Sequence, residues 1–123
     1  MVGATAVTLN FPDAADILQT AKKHKPEALT IIGGPHVTFL AEQVLHDHPG
    51  IDVVFMGESE STLEKWLPVI DHKPAWHAIK GLAFRDGGEV INTGPVELIP
   101  DLSRLPLPAR HLLPLSKYQA LGF

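Results

Sequence analysis

The chain has 123 residues, 45% of them hydrophobic, enough for one core of ordinary size. It contains no cysteine, which excludes disulfides, thiolate metal sites and iron–sulfur ligands within these residues. A net charge of -4 at pH 7 gives no basic footprint for nucleic acid or an anionic membrane surface, and no apolar run approaches the roughly 20 residues of a membrane span; the expectation is a soluble, cytoplasmic domain.

Three strand-then-helix units follow in chain order. A small, β-branched run from Val2 to Leu9 predicts a strand covered on both faces, broken at Asn10-Phe11-Pro12. A helix is expected next, with Asp13 as its cap and Ala14, Ile17, Leu18 and Ala21 inward. Lys22, Lys23 and His24 suit its C-terminus, and Pro26 stops it. Ala28 to Ile32 predicts the second strand, ended by Gly33-Gly34-Pro35, and a helix from Phe39 to Asp47 follows with Leu40, Ala41, Val44 and Leu45 inward. Ile51 to Met56 predicts the third strand. Ser61 with Glu64 reads as a capping box opening a helix whose apolar stripe is Leu63, Trp66, Leu67 and Ile70.

This alternation predicts an α/β fold, a Rossmann- or flavodoxin-like parallel sheet with helices on both faces. The pattern then changes. Residues 81–93 read as a β-hairpin turning at Asp86-Gly87-Gly88. Residues 94–123, interrupted by Pro95, Pro100, Pro106, Pro108 and Pro114, read as an extended linker.

In an open parallel sheet, ligands sit outside the carboxyl ends of the strands. Three loops are expected there, around Asn10-Phe11-Pro12, Gly33 to Thr38, and Gly57-Glu58-Ser59-Glu60. Gly33-Gly34 removes side chains where a large ligand approaches backbone, or simply makes a tight turn for helix packing. His36 is a candidate hydrogen-bonding group or an ordinary solvated residue. Glu58 and Glu60 form an acidic pair or merely complement a helix dipole. His46, His48, His72 and His77 match no metal-ligand spacing. No dinucleotide or P-loop glycine pattern occurs.

The segments Gly33-Gly34-Pro35-His36-Val37-Thr38-Phe39-Leu40 and Ile51 to Leu63, the latter containing Gly57-Glu58-Ser59-Glu60, resemble the cobalamin (vitamin B12)-binding domain of B12-dependent radical SAM proteins. The likeness continues through Gly81 to Gly88 and through Asp101 to Arg110, which is similar to the segment leading into the radical SAM barrel. Thr5-Ala6-Val7 stands where the broader family has S-x-L, twenty-five residues (Thr8 to Ile32) before Gly33-Gly34; D-x-H-x-x-G, with its lower-ligand histidine, is absent from the sequence.

The resemblance implies that residues 1–80 are part of a cobalamin-binding domain, with the nucleotide tail beside the sheet and the corrin across the strand ends. Thr5 and Val7 would line the tail pocket beside Gly33 and Gly34. Pro35, His36, Val37 and Thr38 would border tail or corrin, and Gly57, Glu58 and Ser59 would flank the corrin amides. A Gly34→Val change is expected to abolish binding in the intact parent at little cost to folding, the fragment alone being expected to bind weakly or not at all.

The chain is therefore expected to be a non-catalytic fragment of a methyltransferase or of a cyclase of the magnesium-protoporphyrin monomethyl ester type. Its early βα units would be missing, and its linker would lead toward a radical SAM domain holding [4Fe-4S] and S-adenosylmethionine. An open sheet edge is expected to cause self-association. The alternative is a flavodoxin- or receiver-like protein-interaction domain; a receiver needs an acid at the end of its first strand, where this chain has Asn10.

Overall fold

The computed structural model describes residues 1–114. One five-stranded sheet has the spatial order β1-β2-β3-β4-β5, formed by Val2–Thr5, Thr30–Gly33, Val53–Phe55, Leu82–Asp86 and Glu89–Asn92. The first three strands are parallel, with Thr5 opposite Gly33 and Ile32 opposite Val54. The expected parallel α/β architecture is present. The expected hairpin forms too, and it extends the sheet: β4 pairs antiparallel with β3, placing Val54 opposite Ala83. Its two-residue turn, Gly87-Gly88, has φ of 57° and 91°, the positive values a tight hairpin connection requires.

Helices cover both faces, as expected. On one face α1 (Phe11–His24) and α2 (Pro35–Asp47) bury Leu18, Val37, Val44 and Leu45 against Ile32 and Val54. On the other, α3 (Glu60–Trp66) and the 3-10 turn Lys73–Ala78 cover the β3–β4 half. An aromatic chain fills that side. Phe55 and Trp66 centroids lie 5.2 Å apart, and Trp66–Trp76 and Trp76–Phe84 each lie 5.3 Å apart. Tilted and edge-on pairs of this kind contribute about 0.5–1.5 kcal/mol each beyond their buried area. At the end of the sheet beside the C-terminus of α2, the Arg85 guanidinium donates to the carbonyl of Leu45 in the helix's last turn and to those of His48 and Ile51 beyond it.

Several expected boundaries move. The first strand stops at Thr5, not Leu9, because Val7 opens a 3-10 turn over Thr8–Asn10. The side-chain Oδ1 of Asn10 accepts from Val7 N at 2.8 Å. The first helix begins at Phe11, so Asp13 lies in its first turn and Asn10 occupies the cap position. Ile17, Leu40 and Leu67 are exposed rather than inward.

The second helix begins at Pro35, four residues before the expected Phe39, since proline fits the first helical position, where no N–H is needed. The third begins at Glu60 with Ser59 at its cap position, so Ser61 and Glu64 form no capping box.

From Gly94 to Pro114 the chain has no α-helix or strand, only short 3-10 turns at Leu102–Arg104 and Arg110–Leu112. Its first part is held: Lys65 Nζ meets Glu97 Oε2 at 2.6 Å, and a Cβ on Gly57 would come within 2.7 Å of Val96 Cγ1. The remainder of the expected linker, residues 115–123, lies outside the described residues. Among the described residues no helix is long and apolar enough to cross a membrane.

Candidate functional site

Because α3 covers only half of its face, the β1–β2 half stays open. Side chains alternate across a strand, so Gly3, Thr5, Ile31 and Gly33 point to this side while Ala4 and Ile32 turn toward the α1–α2 core. Two of those four positions carry no side chain. The result is an apolar groove of about 360 Å³, walled by Ile31, Phe55 and Leu63 and rimmed by Thr5 and Ser59. A Cβ on Gly33 would meet only the Phe55 carbonyl and Cβ, at 3.7 and 3.8 Å, so any larger side chain there would project into the groove.

Three of the residues singled out from the sequence, Thr5, Gly33 and Ser59, are thus brought together. Gly34 is glycine for a different reason. Its φ is 104°, and a Cβ would lie 2.6 Å from the Ala6 carbonyl oxygen and 2.8 Å from Thr5 Oγ1. The chain's own backbone occupies that space, which overturns the expectation that Gly34→Val costs folding little.

Pro35 is exposed at the start of α2, and Val7 is half exposed on the turn above β1. The ring of His36 packs 4.3 Å from that of Phe11, and its Nδ1 lies 3.3 Å from Thr8 Oγ1. The His36 amide donates to the Ala6 carbonyl at 3.2 Å. Val37 is fully buried, its side chain packed in the α1–α2 core. Thr38 Oγ1 donates to the Gly34 carbonyl and accepts from Gly57 N, each at 3.0 Å, joining the loops after β2 and β3. Gly57 and Glu58 are exposed beside them, and Ser59 Oγ donates back to the Gly57 carbonyl at 3.3 Å.

Gly3, Ile31, Phe55 and Leu63 were not foreseen as site residues. A signal for the first two existed: Gly3-x-Thr5 and Ile31-x-Gly33 share one face at period 2 with a glycine on each strand, on the side that no helix among the described residues covers.

A family model described as the B12 binding domain matches residues 1–67. The chain belongs to the B12-binding domain family. Its relatives include an uncharacterised methyltransferase, PH0819, of Pyrococcus horikoshii, 35% identical over 99% of this chain and 27% of the relative. The anaerobic magnesium-protoporphyrin IX monomethyl ester cyclase of Cereibacter sphaeroides is 34% identical over 85% of this chain and 18% of its own length. The cobalamin-dependent radical SAM methyltransferase TokK of Streptomyces tokunonensis is 30% identical over 80% and 15%. This B12-binding domain thus spans a quarter or less of most such relatives. The flavodoxin- or receiver-like alternative is not favoured.

The residues present fit the tail of the family's cofactor. Gly33 leaves open the space that a Cβ would begin to fill, and the groove beside it opens to solvent along the sheet. Among the described residues, no group of three or more His, Asp or Glu gathers to hold a metal ion.

Proposed function

We propose that this chain binds cobalamin with its nucleotide tail in the Gly33 groove and its corrin across the ends of β1, β2 and β3. The observation that carries this reading is the groove beside Gly33 on the β1–β2 face, which no helix among the described residues covers. Thr5 and Ser59 would offer hydroxyls at the rim, and Gly33 would let the tail approach backbone. Gly34, Thr38 and the His36 amide hold the loops that border it. Val7, Pro35, Gly57 and Glu58 stand at the strand ends, where the corrin's edge would lie. When bound, the corrin supplies cobalt chemistry suited to methyl transfer or related radical reactions; the protein's share is to hold and orient it.

The domain would act in the cytoplasm, presenting the corrin to a radical SAM domain of a methyltransferase or of a magnesium-protoporphyrin-type cyclase. With no cysteine in this sequence, the [4Fe-4S] cluster and S-adenosylmethionine would belong to that partner domain. We further propose that β1 pairs with a second copy. Among the described residues β1 is bonded on one side only, to β2. Light scattering at roughly tens of micromolar should detect a dimer; a strict monomer would remove that proposal alone.

The test of cofactor binding is equilibrium dialysis against hydroxocobalamin. The natural chain should retain the corrinoid, while Gly33→Leu should lose it and keep its circular dichroism and melting temperature. Equal retention by both would overturn the placement.

A further inference from the structure

Resting on the cobalamin reading, the groove's chemistry goes one step further, to which corrinoid it accepts. Corrinoids share a ring and differ in the base at the end of the nucleotide tail. Here that base would meet Ile31, Phe55 and Leu63 as walls. Among the described lining residues, the only side-chain polar groups are the hydroxyls of Thr5 and Ser59, and Ser59 Oγ is already directed at the Gly57 carbonyl. Backbone groups between β1 and β2 are bonded to each other, and those on the outer edge of β1, unpaired among the described residues, point in the plane of the sheet, away from the Ile31–Phe55–Leu63 wall. Thr5 lies in register with Gly33, and Ala6 N donates to the Gly33 carbonyl at 3.0 Å.

A purine base carries an exocyclic amine and three ring nitrogens outside its sugar link. One or two hydroxyls cannot satisfy them, and each group seated unpaired against the apolar wall forfeits its hydrogen bond to water. A dimethylbenzimidazole or phenolic base makes little such demand and gains from contact with the Ile31–Phe55–Leu63 wall. We infer that this groove selects corrinoids by their lower base, taking an apolar ring in preference to a purine.

The test is equilibrium dialysis of the full chain against three corrinoids, read by the corrin's own absorbance: cobinamide, which has no base, cresolyl cobamide and adeninyl cobamide. The cresolyl form should bind about tenfold or more tighter than the adeninyl form, and also tighter than cobinamide. Leu63→Gln places an amide on the wall and should narrow the cresolyl-to-adeninyl ratio to about threefold or less. Comparing ratios between the two proteins cancels each base's own tendency to bind cobalt. Equal affinity for the two cobamides, or a ratio unmoved by Leu63→Gln, overturns the inference while corrinoid binding stands. Cobinamide binding as tightly as both cobamides removes the base from the groove and overturns it too. Failure of all three to bind would sink the cobalamin reading itself.

Discussion

The hydroxyl of Thr38 accepts the amide hydrogen of Gly57 at 3.0 Å, so one side chain on the first turn of α2 holds the loop that follows β3. The same oxygen donates to the Gly34 carbonyl. Thr38 therefore sets the distance between the two loops that border the groove.

Replacing Thr38 by Val keeps the shape and removes both bonds. The site is partly open to water, so the stability cost should be about 0.5–1.5 kcal/mol. Corrinoid affinity should fall several-fold, and Thr38→Ser should restore it. Denaturant melts paired with dialysis check this; a Ser variant as weak as the Val variant would assign Thr38 to packing alone.

Gly33 and Gly34 should separate cleanly. Gly34→Ala places a Cβ 2.6 Å from a carbonyl oxygen at a φ of 104°, and should destabilise the fold by about 2–5 kcal/mol. Gly33→Ala adds a Cβ at ordinary contact distance and should change stability by less than about 1 kcal/mol. Its effect should appear in cofactor affinity. Thermal melts of the two variants decide the matter: similar losses of stability would contradict the packing described for each position.

These two glycines also mark how far the sequence could be read. Their place after the second strand was legible from the apolar run ending at Ile32, and so was the hairpin from Asp86-Gly87-Gly88. Which glycine faces the groove was not. That depends on strand register, because a shift of one residue exchanges the faces. Val7-Thr8-Leu9 looked like strand by composition, yet the Ala6 carbonyl already receives the His36 amide, and the chain turns away there. Pro35 looked like a stiff loop residue but occupies the first turn of α2. The uninterrupted run Leu82-Ala83-Phe84, buried at all three positions, is the mark of a strand inside a sheet, and its pairing with β3 could have been inferred from it.

At the far end of the sheet, the hydroxyl of fully buried Thr30 lies 2.7 Å from the Gly50 carbonyl and 2.9 Å from Asp52 Oδ2, with its one hydrogen shared between these acceptors, and its oxygen accepts from Asp52 N at 3.1 Å. Thr30→Val conserves volume and takes the donor from the Gly50 carbonyl, while Asp52 keeps the Thr30 backbone and Lys22. It should cost about 2–3 kcal/mol, measured by denaturant unfolding. Below its melting temperature the variant should bind corrinoid as well as the natural chain, since Thr30 lies at the opposite end of β2 from Gly33. A weakened affinity in the still-folded variant would mean that the groove is coupled to this lock.

The last prediction concerns the segment after Gly94. The Lys65 ammonium donates to Glu97 at 2.6 Å, and this bond, with the charge behind it, holds the Glu97 carboxyl below the ordinary glutamate range. Val96 beside it covers Gly57. A carboxyl with a lowered value binds protons less readily when docked than when free. Docking is therefore fully favoured above the ordinary glutamate range and weakens as pH falls through the lowered value. Both side chains are open to solvent, so the effect should be small and salt-sensitive. It should appear as an acid-range titration of the Val96 methyl resonances in the natural chain. Glu97→Gln should flatten that titration and hold the resonances near their acid positions at neutral pH. Identical titrations in the two proteins would mean that Val96 is held by packing over Gly57 alone, with no contribution from the ion pair.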